Sequence, residues 1–304
     1  MGEHFADRLV AAVKARGTWA CVGIDPVYAQ LPEALRVEYP QERAVDGLRA
    51  FCRAVLEAVS PLVAVVKLNI AFFEPYRGAG VELYFEMVAY ARSLGLIVIG
   101  DVKRGDIGHT SMAYARAQLA DSDAGPGPDA VTLSGYFGID GIEPFLTVCR
   151  EQDKGIFVLV HTSNASAGEV QHAALADGTN VAEQMARLVA EWGRMEGMRG
   201  KCGLSAVGAV VAPGELSRAR VLRGLLPDAV LLVPGFGAQG RSREQVAACF
   251  RADGGGALVN SSRGVINAYA DANYAPKSPE AWTESVRQAC RDLVTAVGNI
   301  QSPA

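Results

Sequence analysis

The chain has 304 residues, 50% of them hydrophobic and 20% charged, which excludes intrinsic disorder, collagen and coiled coil and leaves an ordinary globular protein. With 29 basic against 33 acidic side chains the formal charge is −4, so no global positive field is available for nucleic acid, and an anionic ligand must be caught by a local site. No apolar run approaches the ~20 residues of a membrane span, and the length admits two domains or one barrel of about 250 residues.

The opening MGEHFADRLVAAVKARG is amphipathic and predicts a helix over about 4–16; its acidic residues fit neither a signal peptide nor a transit peptide. Aliphatic or β-branched runs then recur at 19–24, 63–68, 97–101, 130–134, 156–161, 205–211, 229–233 and 257–260. Longer helix-like stretches lie between them, among them 42–59, 81–94, 108–119 and 180–192, and a last helix is expected over about 279–297. Runs such as VVKL and FVLV lack polar alternation, as strands buried on both faces of a parallel sheet require. Eight such βα units predict an α/β protein, a closed (β/α)8 TIM barrel forming a single domain over 1–304, rather than an open doubly wound sheet. No GxGxxG follows the first strand, which agrees.

The Gly-, Pro- and Asp-rich stretches 121–129 and 164–178 read as surface loops. Cys21, Cys52, Cys149, Cys202, Cys249 and Cys290 are widely spaced with no CxxC pair, so free thiols in a reducing compartment are expected, with the cytoplasm as the default.

In such a barrel the chemistry sits at the C-terminal strand ends. Strand one ends in Asp25-Pro26, strand two in Lys67-Leu68-Asn69, and strand three in DVKRGDIGHT from Asp101 to Thr110. Strand five runs into His161-Thr162-Ser163-Asn164, strand seven into PGFGAQG from Pro234 to Gly240, and strand eight into Asn260-Ser261-Ser262-Arg263. Residues two apart on an extended strand point the same way, so Asp101 and Lys103 can both face the mouth. With Lys67 and Asp106 they can form an alternating Lys-Asp-Lys-Asp array. Opposite charges ~4 Å apart attract by about 4 kcal/mol at an effective dielectric of ~20, enough to fix such an array. Taken alone, the pattern fits a surface ion-pair cluster equally well.

The glycine turns after strands seven and eight expose backbone N–H groups that suit a phosphate, with Gln239 and Gly240 on one turn and the planar guanidinium of Arg263 on the next. His161 is expected in a structural hydrogen bond, His109 at a surface, and His4 and His172 in polar surface contexts. Without HxH or HExxH these four argue against a zinc site. No GxSxG elbow is present and Cys149 and Cys202 lack a partner, which disfavours nucleophilic hydrolysis.

The segments CVGIDP, VVKLNIAFFE, GDVKRGDIGHT, VPGFGAQG and SSRGVI, in that order, resemble the orotidine 5'-phosphate decarboxylase family, most of all its longer bacterial form. The resemblance runs from about residue 5 to 296, and DxKxxDIxxT (Asp101, Lys103, Asp106, Ile107, Thr110) is its most specific motif. It implies a homodimeric barrel, working without metal or organic cofactor, that converts orotidine 5'-monophosphate to UMP and carbon dioxide. It makes Lys103 the acid that protonates C6, places Asp101 against the substrate carboxylate, and has Lys67 tie Asp101 into the charge network. It sends Asp106 into the partner subunit's site. Asp25 and Thr110 are then expected on ribose hydroxyls, Ser163 and Ile107 on the pyrimidine, and Gln239 and Arg263 on the phosphate. Asn69, Pro234 and Gly240 complete the expected substrate-binding set. Ser163 is followed by Asn164, where compact relatives carry proline. Two other readings remain: a metal-dependent keto-sugar-phosphate decarboxylase on the same scaffold, and a non-catalytic nucleotide-binding barrel, which would not need Lys67, Asp101 and Lys103 together.

Overall fold

In the computed structural model, which describes residues 2–235 and 242–301, eight parallel strands close on themselves in sequence order. They are β1 (Ala20–Ile24), β2 (Val65–Asn69), β3 (Ile97–Arg104), β4 (Ala130–Leu133), β5 (Gly155–His161), β6 (Val207–Val211), β7 (Leu231–Val233) and β8 (Ala257–Ser261). Parallel pairing of β1 with β8, Cys21 opposite Asn260, closes the ring. Each of the eight expected strands is present, and the ends differ for local reasons. β6 starts two residues late because the Ser205 hydroxyl takes the Val207 N–H at 2.9 Å. β3 runs three residues past Asp101, carrying Lys103 within the strand.

The strands are buried almost throughout, because helices cover the outer face and side chains fill the interior. The helices expected at 42–59, 81–94, 108–119 and 180–192 span Ala44–Val59, Arg77–Ser93, Gly108–Gln118 and Val181–Trp192. The chain's closing helix is Trp282–Gln301, entered through a 3-10 turn at Pro279–Ala281. Within the expected 164–178 loop the chain forms a short helix, Ala167–Gln171, because the Gln171 amide folds back on Thr162. Its oxygen accepts from the Thr162 N–H at 2.9 Å and its NH2 donates to the Thr162 hydroxyl at 2.6 Å. The 121–129 loop is anchored from below: buried Lys154 reaches Asp121 at 2.7 Å and the Pro128 carbonyl at 3.1 Å.

The N-terminal helix, Phe5–Arg16, shows how local signals position an element. Phe5, Leu9 and Val13 recur every four residues and form its buried face. Gly17, in the left-handed region at φ 69°, ends it by donating its N–H to the Lys14 and Val13 carbonyls. Phe5 packs edge-on against Phe157 of β5, ring centroids 6.4 Å apart, closing the barrel's N-terminal end. Gly155 makes room for that ring, since a Cβ there would lie 2.4 Å from Phe5 Cδ1. Truncating a buried aromatic ring costs about 3–5 kcal/mol. Phe5→Ala is therefore expected to lower the urea-unfolding free energy by that amount; a loss under ~1 kcal/mol would show that the ring does not hold the barrel floor.

Candidate active site

At the opposite end, the C-terminal ends of the strands surround a cavity of about 270 Å³. Asp25, Lys67, Asn69, Asp101, Lys103, Ser163, Pro234 and Arg263, all expected from the sequence, line it. Asp106, Ile107 and Thr110 are not among its lining residues. They occupy the turn after β3 and the first turn of helix Gly108–Gln118, where the Asp106 carboxylate accepts from the Ile107 N–H at 2.8 Å and Ile107 is 52% exposed. Gln239 and Gly240 lie outside the described residues.

Asp101 is the hub. Its Oδ2 accepts from Lys67 Nζ at 2.6 Å, and its Oδ1 accepts from Lys103 Nζ at 2.5 Å and from the Thr132 hydroxyl at 2.9 Å. Asp25 Oδ1 stands 3.9 Å from Lys67 Nζ. Burial pushes the Asp101 carboxyl up, but the ammonium groups of Lys67 and Lys103 outweigh it and hold the group at about 2. Burial pulls Lys67 down, and the charges of Asp101 and Asp25 overcome that, leaving its pKa above the ordinary 10.5. The lysines differ in exposure: the Lys67 side chain is 8% exposed and that of Lys103 is 48% exposed, open to the cavity. Burial pushes the Cys21 thiol, behind this cluster, up to about 12, so it remains a neutral wall residue.

Asp101 and Lys103, expected on β3, both line the cavity, but regular strand alternation is not what brings them together. The β3–β4 register passes from Gly100 opposite Val131 to Arg104 opposite Leu133, so Asp101, Val102 and Lys103 all face Thr132 alone. This is a bulge, a device that re-aims side chains at barrel rims. Lys103 takes φ 45° within it, a conformation that costs a non-glycine residue about 1–3 kcal/mol and is held only by its surroundings.

Sequence reasoning missed Thr132, and named Asn260 at the end of strand eight without giving it a role. Thr132 sits in AVTL, which reads as a plain buried strand; its one polar atom was the available signal. Asn260 lines the cavity, and its Oδ1 is buried with no hydrogen-bond partner among the described residues. Gly23 opens this corner, because a Cβ there would lie 1.8 Å from Ser262 Oγ and 3.2 Å from Asn260 Oδ1. His161 has the structural bond expected of it, Nδ1 to the Ala212 carbonyl at 2.7 Å. His172 has more than a surface context: its ring stacks on His161 with the Nε2 atoms 3.0 Å apart. The reason is the short helix that carries it back over β5.

A closed barrel whose mouth holds two lysines on one carboxylate, with an arginine at the rim, is an α/β-barrel site suited to an anionic ligand. The chain belongs to the orotidine 5'-phosphate decarboxylase / HUMPS family, whose model matches residues 21–277. It is 42% identical over 293 residues to the orotidine 5'-phosphate decarboxylase of Rhodopirellula baltica, covering 94% of this chain and 96% of that one. It is 40% identical over 268 residues to that of Deinococcus radiodurans, covering 87% and 90%. Among solved structures, the Leishmania donovani OMP decarboxylase superposes with a TM-score of 0.75 at 26% identity, covering 99% of this chain and 100% of that one.

Two opposite pH dependences meet in the cluster. The depressed Asp101 contributes stability that is present above about 3.8 and is lost as pH falls toward about 2. The raised Lys67 contributes stability that is complete below 10.5 and is lost as pH climbs through its higher folded value. Removing one partner of a buried pair costs about 3–5 kcal/mol. Asp101→Asn should thus cost that much in urea unfolding at pH 7, and the gap to wild type should close as pH falls from 4 toward 2. Equal stability at pH 7 would show that the carboxylate does not hold the lysines in place.

Proposed function

We propose that this chain converts orotidine 5'-monophosphate to UMP and carbon dioxide, the last step of de novo pyrimidine synthesis, by direct decarboxylation with Lys103 as the proton donor. The observation that carries the mechanism is the Lys67–Asp101–Lys103 chain, whose one open ammonium faces the cavity. As the C6–carboxylate bond breaks, its electron pair stays on C6 and carbon dioxide leaves neutral. A fixed ammonium beside C6 stabilises that developing charge more than it stabilises the ground state, and then transfers its proton to the carbanion. Lys103, open to the cavity, recovers a proton from solvent. Asp101 aims Lys103 and faces the departing carboxylate, from which its repulsion is relieved as carbon dioxide forms.

Asp25 Oδ1, buried without a hydrogen-bond partner among the described residues, is an acceptor suited to a ribose hydroxyl. Asn69 lies beside it at the end of β2. Ser163 at the cavity rim serves the pyrimidine. Arg263, exposed where β8 enters helix Arg263–Ile266, serves the phosphate with Pro234 from the neighbouring strand end, and the sequence adds Gln239 and Gly240 to this set. Phosphate binding remote from C6 can then drive orientation at the base. The reaction needs neither metal nor organic cofactor.

The working form is a homodimer in which Asp106, Ile107 and Thr110 complete the partner's site, Ile107 against the pyrimidine and Thr110 on the ribose. In support, these residues are absent from their own chain's cavity and lie beside an exposed apolar group, Tyr136, Phe137 and Ile139. A Cβ on Gly141 would sit 2.9 Å from the Asp106 carbonyl and 3.2 Å from Phe137 Cβ, so the patch and the Asp106 turn are neighbours. Five cysteines are buried, which fits a reducing cytoplasm. The quoted relatives favour this substrate over the keto-sugar phosphate of the metal-dependent reading.

The direct test is ultraviolet monitoring of orotidine 5'-monophosphate turnover by chelator-treated protein. Full activity is expected, and loss on metal removal would favour the sugar-phosphate reading. Lys103→Ala should abolish turnover while UMP still binds; retention of more than a tenth of the rate, a barrier change of only about 1.4 kcal/mol, would show that Lys103 is not the donor.

Mixing inactive Lys103→Ala with inactive Asp106→Ala tests the shared site. A two-fold dimer collects both lesions in one site and leaves the other wild type, so random exchange should restore about a quarter of wild-type activity. Verified exchange without recovery would mean that Asp106 serves its own chain.

A further inference from the structure

Thr132 takes no part in the chemistry described above, yet its single hydroxyl touches both halves of the Lys103–Asp101 pair. The residue is 1% exposed and stands on β4 opposite the bulged stretch Asp101–Lys103. Its Oγ1 accepts the Lys103 backbone N–H at 3.1 Å and donates to Asp101 Oδ1 at 2.9 Å. That carboxylate oxygen is the one holding Lys103 Nζ. The direction of these bonds is forced. A backbone N–H can only donate, so the hydroxyl oxygen must accept there, and its own proton is left for the carboxylate.

The bulge explains why such a bond is needed. Below it, β3 and β4 pair in register at Ile99 with Ala130 and Gly100 with Val131; above it, the Ser134 N–H donates to the Arg104 carbonyl at 2.9 Å. Between these points the Lys103 N–H turns to the Thr132 hydroxyl instead of a strand carbonyl. The same bond restrains Lys103 at φ 45°. One hydroxyl thus fixes the backbone from which the Lys103 side chain departs and the oxygen on which its ammonium rests.

We propose that Thr132 is a positioning residue that sets where the Lys103 ammonium stands relative to C6, an inference that rests on Lys103 being the proton donor. Valine at this position would keep the size and branching of threonine and replace only the hydroxyl with a methyl. It would leave the Lys103 N–H unpaired and free Asp101 Oδ1 to turn. Substrate binding through Asp25 and Arg263 would be spared, because those residues follow β1 and β8.

The test compares Thr132→Val, Thr132→Ala and Thr132→Ser with wild type in kcat and KM for orotidine 5'-monophosphate, in UMP affinity and in urea unfolding. A misplacement on the order of 1 Å costs about 100-fold in rate. Thr132→Val is expected to lose about that factor in kcat, with KM and UMP affinity within about 3-fold of wild type, and Thr132→Ser to recover most of the rate. The alanine variant is read by the same criteria if the valine variant does not fold. A valine or alanine variant with near-wild-type kcat overturns the proposal, as does a serine variant impaired as severely as either. Failure of both valine and alanine variants to fold, with the serine variant sound, would make the hydroxyl a requirement of the fold and also overturn it. Wild-type protein that does not turn over orotidine 5'-monophosphate would instead overturn the functional reading.

Discussion

The site depends on a single carboxylate placed between two ammonium groups. Like charges a few ångströms apart repel by several kcal/mol at the effective dielectric of a protein, so Lys67 and Lys103 cannot share this mouth without Asp101 between them. Burying such a group is not itself a source of stability, because desolvation offsets much of the attraction; only breaking the set is costly. Its presence at the C-terminal strand ends, lining the cavity, therefore indicates use at the mouth rather than support of the fold. The barrel makes it tolerable by bringing β2, β3 and β4 side by side, so that donors converge on both carboxylate oxygens.

The two lysines divide the work by exposure. Lys67 is walled in, and Asp101 and Asp25 keep it charged, which makes it a fixed source of positive field. Lys103 reaches Asp101 from the open side, where the proposed proton donor would meet substrate and regain its proton from water. A buried lysine in the donor role would have no route for reprotonation, and two exposed lysines would leave the carboxylate in water. The asymmetry follows from position: Lys67 lies two residues before the end of β2, whereas Lys103 lies in the bulge beyond β3's regular ladder.

How much was legible in the sequence depends on what each residue's signal reports. The strands could be read because runs such as VVKL and FVLV are apolar on both faces, which only a sheet covered on both sides requires. Lys67, Asp101 and Lys103 could be read because charge directly after an apolar run is rare. The alternation argument nevertheless chose Asp101 and Lys103 through a regular geometry that the chain does not adopt; the two extra bulge residues leave no local mark. Thr132 was hidden because threonine is an ordinary strand residue and its role depends on what faces it across the sheet. The stacking of His172 on His161 was hidden likewise, since it needs the Gln171 amide to fold the helix back on Thr162.

The bulge also explains why the mouth can be strained while the barrel is not. From Ile97 to Gly100, β3 is in ladder with β2, and Ile99 and Gly100 are in register with β4, so its lower half is fixed on both sides. Above that point the pairing with β4 lapses until Arg104, and the ladder with β2 ends at Asp101 opposite Asn69, so side-chain bonds take over the restraint at Lys103. A residue with positive φ persists only where its surroundings over-determine it. Here the restraints on Lys103 are its N–H bond to Thr132 and its ammonium bond to Asp101, which Thr132 and Lys67 hold in turn. Each of these contacts supports the others, so weakening one loosens the set rather than a single bond. These restraints hold the backbone and ammonium of Lys103 through bonds within the protein alone, the preorganisation that the proposed decarboxylation calls for.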